Sequence, residues 1–365
     1  MSNRSLTVKV PGKLMIAGEF AVLEPYQKLA VMAVDRFVYA SIQTSSYNSL
    51  TLENFHLSSL KWKFEDSTVV IDTEDERISF VKKAMQNTLT YLQEHHIQLD
   101  PFSLTIKSEL DDVSGKKYGL GSSAAVVTSV VSAILNYFLP VKPSDTLIFK
   151  LASISHVKVQ GNGSGADIAA STYGGMLEYA SFQAEWLLEE LETMSSLTEL
   201  VEKKWTYFHV KPLPVSEKLK ISIGWTGKPA STSKLVDKVL ELKEYNLSSF
   251  EKFINESERA VRHFLEGMKT ENIPLLLQGV KENRHALKAV GKAANAELET
   301  DQLKVLCDFA EAYGGAGKLS GAGGGDCGIA FMPSNKDIEA LKKKWENADI
   351  QALDLSLYSK GASIK

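Results

Sequence analysis

Cysteine is nearly absent from this chain: Cys307 and Cys327 are the only two in 365 residues, and there is no Cys-x-x-Cys pair and no Cys/His cluster at zinc spacing. A disulfide framework and a structural zinc site are excluded as organising devices, and both thiols are expected to be reduced. A basic excess is missing too, since 41 Lys and Arg stand against 45 Asp and Glu for a net charge of −4. That balance excludes a partner bound mainly through phosphate charge, so no nucleic-acid role is expected. Long apolar runs are also lacking. The most apolar stretch, Ala124 to Leu135, is broken by Thr128, Ser129 and Ser132 and falls short of the roughly 20 residues a bilayer span needs. Residues Met1 to Val10 alternate polar and apolar instead of forming the apolar core of a signal peptide, so the expectation is a cytoplasmic protein with no membrane partner. Neither an internal repeat nor a low-complexity tract is present.

What is present is ordinary globular material, 44% hydrophobic and 24% charged, in a length that suggests about two domains. Leu6, Val8 and Val10 alternate as a strand that Pro11-Gly12 is expected to break before the run Leu14 to Ala17. Strand character follows over Ala30 to Gln43 and at Phe102, Leu104 and Ile106, with a helix between whose stripe is Val81, Met85, Leu89 and Leu92. Ser144-Asp145 caps a helix running to about Val157, and Ala166 to Ser171 forms a short one. The chain turns strand-like and proline-bearing around Lys203 to Leu219, which places a boundary between domains 1–215 and 216–365. Beyond it come a strand at Leu219 to Ile223, helices carrying Leu235 to Leu242, Phe250 to Met268 and Leu303 to Tyr313, a strand at Cys327 to Met332, a helix at Asn335 to Asn347 and a strand at Ala352 to Tyr358. Strand and helix mix without the strict alternation of a doubly wound sheet, so the class is α+β.

Three glycine-rich segments stand out: Lys117-Tyr-Gly-Leu-Gly-Ser-Ser-Ala-Ala125, Gln160-Gly-Asn-Gly-Ser-Gly-Ala-Asp167 and Lys318-Leu-Ser-Gly-Ala-Gly-Gly-Gly-Asp326. Glycine lets backbone N–H groups converge on one point, and a following helix adds the positive end of its dipole, so such loops suit anions. Three of them suit a phosphate-rich ligand. No Gly-Lys is followed by Ser or Thr, which excludes a Walker A loop, and Gly161-Asn-Gly163 follows a helix instead of an early strand, which argues against a dinucleotide fold.

The order of these loops, together with Val10-Pro-Gly-Lys-Leu-Met-Ile-Ala-Gly-Glu-Phe-Ala-Val-Leu23, resembles the superfamily of galactokinases, homoserine kinases, mevalonate kinases and phosphomevalonate kinases. The first motif matches residues 11–23, the second the Gly119 to Ala125 loop and the third the Lys318 to Gly328 loop, so the resemblance spans nearly the whole chain. Phe20 after Gly18-Glu19, Asp326 after the glycine triplet and the segment Gly224 to Val236 look most like the bacterial phosphomevalonate kinases. The resemblance implies a ribosomal protein S5 domain 2-like N-terminal domain, a ferredoxin-like C-terminal domain and a cleft between them. It further implies that ATP and Mg²⁺ are used to phosphorylate 5-phosphomevalonate, in a monomer or homodimer. Mevalonate kinase, with an alcohol acceptor, and a non-catalytic phosphometabolite-binding protein are the alternatives.

The same resemblance implies site residues. Gly119, Leu120, Gly121, Ser122, Ser123 and Ala124 would hold the nucleotide phosphates, with Ser123 on magnesium, and Lys13, Lys117 and Asp167 would be catalytic. Lys13, Glu19, Ser164, Gly165, Ser231, Ser320, Gly321 and Gly323 would meet the acceptor. A phosphomonoester is already largely ionised near neutral pH, its second pKa being about 6, so Asp167 is expected to orient more than to take a proton. His156 stands where mevalonate kinases carry a magnesium-ligating Glu. Because magnesium prefers oxygen, His156 is not assigned to the metal.

Overall fold

The computed structural model describes residues 4–111, 117–228 and 232–365. Eight strands of the first half, β1 (Ser5–Ala17), β2 (Lys28–Thr44), β3 (Ser49–Leu52), β4 (Leu57–Glu65), β5 (Thr68–Ile71), β6 (Phe102–Ser108), β7 (Met176–Ala180) and β8 (His209–Leu213), belong to one sheet. A four-stranded antiparallel sheet lies in the second half, built from β9 (Leu219–Trp225), β10 (Ala316–Leu319), β11 (Cys327–Pro333) and β12 (Gln351–Leu353) in the order β10-β11-β9-β12. The two-residue β13 (Ser363–Ile364) then returns to the first sheet beside β1. The main path of that sheet is β13-β1-β2-β6-β3-β4-β5, with β7 and β8 added along the early part of β2. Mixed helix and sheet confirm the α+β reading.

Four helices of the first half matter for the site: α1 (Ser79–Glu94), α2 (Ser122–Phe138), α3 (Asp145–Gln160) and α4 (Ala166–Tyr173). Their seating follows from composition. The stripe Val81, Met85, Leu89 and Leu92 of α1 is buried as its spacing requires. The small and aliphatic run of α2 is buried almost all round, which is why that helix sits in the middle of its layer. Ser144 caps α3, its hydroxyl accepting from the Leu147 N–H at 3.2 Å.

Two strand expectations are corrected. Pro11-Gly12 does not end the first strand; β1 runs through both residues, and the pairing with β2 jumps instead, from Pro11 opposite Phe37 to Gly12 opposite Val34. A proline that donates no N–H is tolerated at such an irregularity. Past the jump, the Lys13 N–H donates to the Leu120 carbonyl at 2.9 Å, so the strand is also tied to the second glycine loop. The expected strand from Ala352 to Tyr358 is really β12 ending at Leu353, after which the chain changes sheets: Leu357 bridges Val34, and the Tyr358 N–H donates to the Ala33 carbonyl at 3.0 Å.

The halves are joined across a polar seam. Glu178 of β7, buried, accepts from Lys28 at 2.6 Å and from Lys269, at the end of the helix Leu247–Lys269, at 2.5 Å. Beneath the second sheet, Leu306, Leu341, Trp345 and Ile350 make a separate apolar cluster.

Candidate active site

The second glycine loop ends in an open helix start. Gly121 occupies the N-cap position of α2 at φ 77°, a left-handed conformation that glycine adopts without strain, and it has no side chain to close the first turn. The N–H groups of Ser122, Ser123 and Ala124 are the orphan donors of that turn, and the helix dipole makes them attractive to an anion. A second glycine, Gly165 at φ 72°, stands before α4, but here the first turn is closed by side chains: the Ala166 N–H donates to the Ser164 hydroxyl at 3.4 Å and the Ile168 N–H to the Asp167 carboxylate at 3.0 Å. Gly165 is held from behind, since a Cβ there would fall 2.4 Å from the Phe182 ring, and the Tyr179 hydroxyl donates to the Ser164 carbonyl at 2.5 Å.

Lys13 links the two. It is 8% exposed and its ammonium donates to the Gly119 carbonyl at 3.1 Å. A Cβ on Gly121 would lie 2.9 Å from Cε of Lys13 and 3.5 Å from Cβ of Asp167, so lysine, aspartate and loop meet at one point. The structure therefore gathers Lys13, Gly119, Leu120, Gly121, Ser122, Ser123, Ala124 and Asp167 from three separate motifs.

The third loop closes on this cluster from the other half. A Cβ on Gly119 would fall 2.8 Å from Asp326, whose backbone is fixed by its N–H to the Lys228 carbonyl at 2.8 Å and its carbonyl to the Thr226 N–H at 3.0 Å. The Cys327 thiol donates to the Tyr118 carbonyl at 3.1 Å. Ser320 donates to the Met15 carbonyl at 2.9 Å, which anchors the loop to β1. Gly321 borders open space, whereas Gly323 is packed against the Leu298 backbone. Lys117 is exposed and its backbone is bridged to Asp111, while its ammonium has no ion-pair partner among the described residues. Ser231 lies outside the described residues.

One buried pair was not legible beforehand. Lys318, fully buried in β10, forms an ion pair with Glu19 and also donates to the Leu319 carbonyl. The other carboxylate oxygen of Glu19, Oε2, has no partner among the described residues. Nothing in the run Ala316-Gly-Lys-Leu319 signals that its lysine turns inward to a residue 299 positions earlier. Phe20 turns away from the loops into the apolar cluster with Phe250, Phe253 and Leu319.

His156 faces Ser123, its Nε2 lying 3.2 Å from the hydroxyl, and its ring packs against Phe80 at 4.9 Å between centroids. Burial holds its pKa below the ordinary histidine value, with the Asp167 charge opposing, so the ring is neutral near pH 7 and positions the serine hydroxyl. Because protonation is harder in the folded chain than in the unfolded one, the unfolded state takes the proton first as pH falls. Stability is therefore expected to drop below about pH 6.5. His156→Gln should flatten that part of the profile, which urea midpoints at about pH 7.5 and about pH 5.5 would measure; an equal slope in both proteins would refute the assignment.

Among the described residues no three His, Cys, Asp or Glu side chains cluster as a metal cage. The donors at the loops are instead the Ser123 hydroxyl and the Asp167 carboxylate, hard oxygens that suit Mg²⁺, an ion that keeps water and phosphate oxygens and takes few from protein.

Comparison with known proteins identifies the family. Residues 79–175 match the GHMP kinases N terminal domain and residues 264–351 the GHMP kinases C terminal model. A phosphomevalonate kinase of Streptomyces sp. (strain CL190) is 30% identical over 367 residues, covering 97% of each chain. This chain belongs to the GHMP kinases. The fold of this GHMP kinase is similar to that of the Lin0012 protein from Listeria innocua, with a TM-score of 0.93, 36% identity and 99% of each chain covered. It is also similar to Streptococcus pneumoniae phosphomevalonate kinase in complex with phosphomevalonate and AMPPNP, with a TM-score of 0.84 and 26% identity over 96% of this chain and 99% of that one. No described helix of this GHMP kinase is long and apolar enough to cross a membrane.

Proposed function

We propose that this GHMP kinase is a cytoplasmic phosphomevalonate kinase of the mevalonate route to isoprenoids, moving the γ-phosphoryl of ATP onto a phosphate oxygen of (R)-5-phosphomevalonate to give the diphosphate and ADP. The observation that carries the reaction class is the meeting of Lys13 and Asp167 at the uncapped start of α2, beside Gly121. The acceptor is supported by the full-length likeness to the Streptomyces enzyme. Residues 1–215 and 216–365 form the two working halves in this reading, with the last ten residues laid back on the first sheet.

In such a transfer the protein positions two anions and neutralises charge. Backbone N–H groups from Gly119 to Ala124 hold the β- and γ-phosphates. Lys13 places its ammonium beside the phosphoryl group in flight, and the Gly119 carbonyl keeps it aimed there. Ser123 and Asp167 would hold the magnesium ion, which supplies Lewis-acid neutralisation of the phosphate oxygens. Asp167, on the rigid first turn of α4, orients the acceptor, and no strong base is required because the acceptor oxygen is already ionised. Glu19 belongs to the acceptor set by resemblance, and its carboxylate, buried against Lys318, would act by fixing the first motif in place behind the acceptor. Ser164, Gly165, Ser231, Ser320, Gly321 and Gly323 shape the acceptor pocket, and Lys117 reaches over the phosphates from the rim.

Purified protein given ATP, magnesium and either mevalonate or 5-phosphomevalonate should release ADP with 5-phosphomevalonate alone. Turnover with mevalonate alone would overturn the acceptor and make Asp167 a base. ATP binding with no turnover of either would replace the enzyme by a binding protein.

A further inference from the structure

Helix α4 carries Asp167 at one end, and its other end is clasped by residues 356–362, which come from the second sheet. The Gly175 N–H donates to the Tyr358 carbonyl at 2.8 Å, and the Ala362 N–H donates to the Thr172 carbonyl at 3.2 Å, satisfying one of the orphan carbonyls at the helix end. The approach is at backbone contact. A Cβ on Gly361 would fall 1.8 Å from the Thr172 carbonyl oxygen, and one on Gly174 would fall 2.2 Å from the Lys360 carbonyl carbon. The clasp is anchored on both sides: Asp35 exchanges bonds with Ser356, its N–H to the Ser356 carbonyl at 3.1 Å and its carboxylate to the Ser356 N–H at 2.6 Å. The Tyr358 ring packs edge-on against Phe37 at 4.8 Å. In the last turn, the buried Ser171 hydroxyl donates to the Pro11 carbonyl at 2.8 Å, two residues before Lys13.

We propose that residues 356–362 are a strap that sets the axial position of α4, and through it the spacing between Asp167 and Lys13, with Gly361 as its positioning residue. A helix of eight residues spans only about two turns, so its rigid backbone passes a displacement at Thr172 on to Asp167. A shift of about 1 Å in a reacting group costs on the order of a hundredfold in rate. Because the strap leaves the second sheet at β12 and ends on the first, it also makes the geometry of the transfer site depend on how the two halves sit together.

This inference rests on the kinase reading, and two readouts separate them. Gly361→Ala in the full-length protein is expected to lower kcat for 5-phosphomevalonate by about ten- to a hundredfold, with KM for ATP changed less than twofold. Amide exchange over residues 166–174 should quicken in the same variant. Leu341→Ala, in the separate apolar cluster under the second sheet, serves as a control: it should lower the thermal midpoint without lowering kcat. Where Gly361→Ala fails to fold, Tyr358→Ala loosens the strap without a backbone collision and is read in the same way. Unchanged kcat and unchanged exchange over 166–174 would overturn the strap. A wild-type protein that turns over neither acceptor would overturn the kinase reading instead, and the exchange result would then decide the strap alone.

Discussion

Lys13→Met should lower kcat by about a thousandfold while leaving the fold and most of the nucleotide affinity in place. Methionine matches the length and volume of the lysine stem, so the buried channel beside Gly121 stays filled and little stability is lost. What disappears is a preorganised cation held on the Gly119 carbonyl in a partly dehydrated site. Removing one preorganised donor from a transition state costs about 10² to 10³ in rate, and a full charge beside a phosphoryl group belongs at the upper end. Steady-state kinetics with both substrates, alongside a thermal melt, measures the effect. A kcat within tenfold of the wild type would exclude Lys13 from the transfer.

Lys318→Met should be the most destabilising single change at the seam, costing about 3–5 kcal/mol, because it strands the Glu19 carboxylate without its cation. Both partners are nearly inaccessible, at 0% and 3% exposure. Glu19 already leaves one oxygen without a partner among the described residues, so water is poorly placed to compensate. The double variant Glu19→Gln with Lys318→Met removes both charges and should recover most of the loss. Urea denaturation of the two singles and the double completes the cycle. A cost below about 1 kcal/mol for the single variant would mean that the pair is solvated in solution.

How much of this was readable in advance differs by type of feature. Helices with a one-sided stripe, such as α1 and the segment Leu247–Lys269, are legible because burial at one face writes a period into the sequence. The strand β10 is not, since all four of its residues are buried and no alternation remains. Pro11 misleads because a proline is read as a strand breaker, whereas a jump in the β2 pairing absorbs it. At the site, Lys13, Ser123 and Asp167 are legible as motif members. Their partners are not: the His156 contact to Ser123, the Lys318 pair with Glu19 and the packing of Asp326 on Gly119 are long-range juxtapositions that local pattern does not encode.

Cys327 gives the seam between the halves a chemical clock. Its thiol is buried against the Tyr118 carbonyl, and burial, reinforced by the Asp326 charge, pushes its pKa far above the ordinary cysteine value despite Lys13 and Arg36. Cys307 is likewise buried and pushed up to about 12, chiefly by burial. Neither sulfur is a nucleophile in the folded protein, since only the thiolate reacts. An alkylating reagent reaches Cys327 only where its contact with the Tyr118 segment parts, so its rate of modification is expected to report how often this seam opens, without any engineered label.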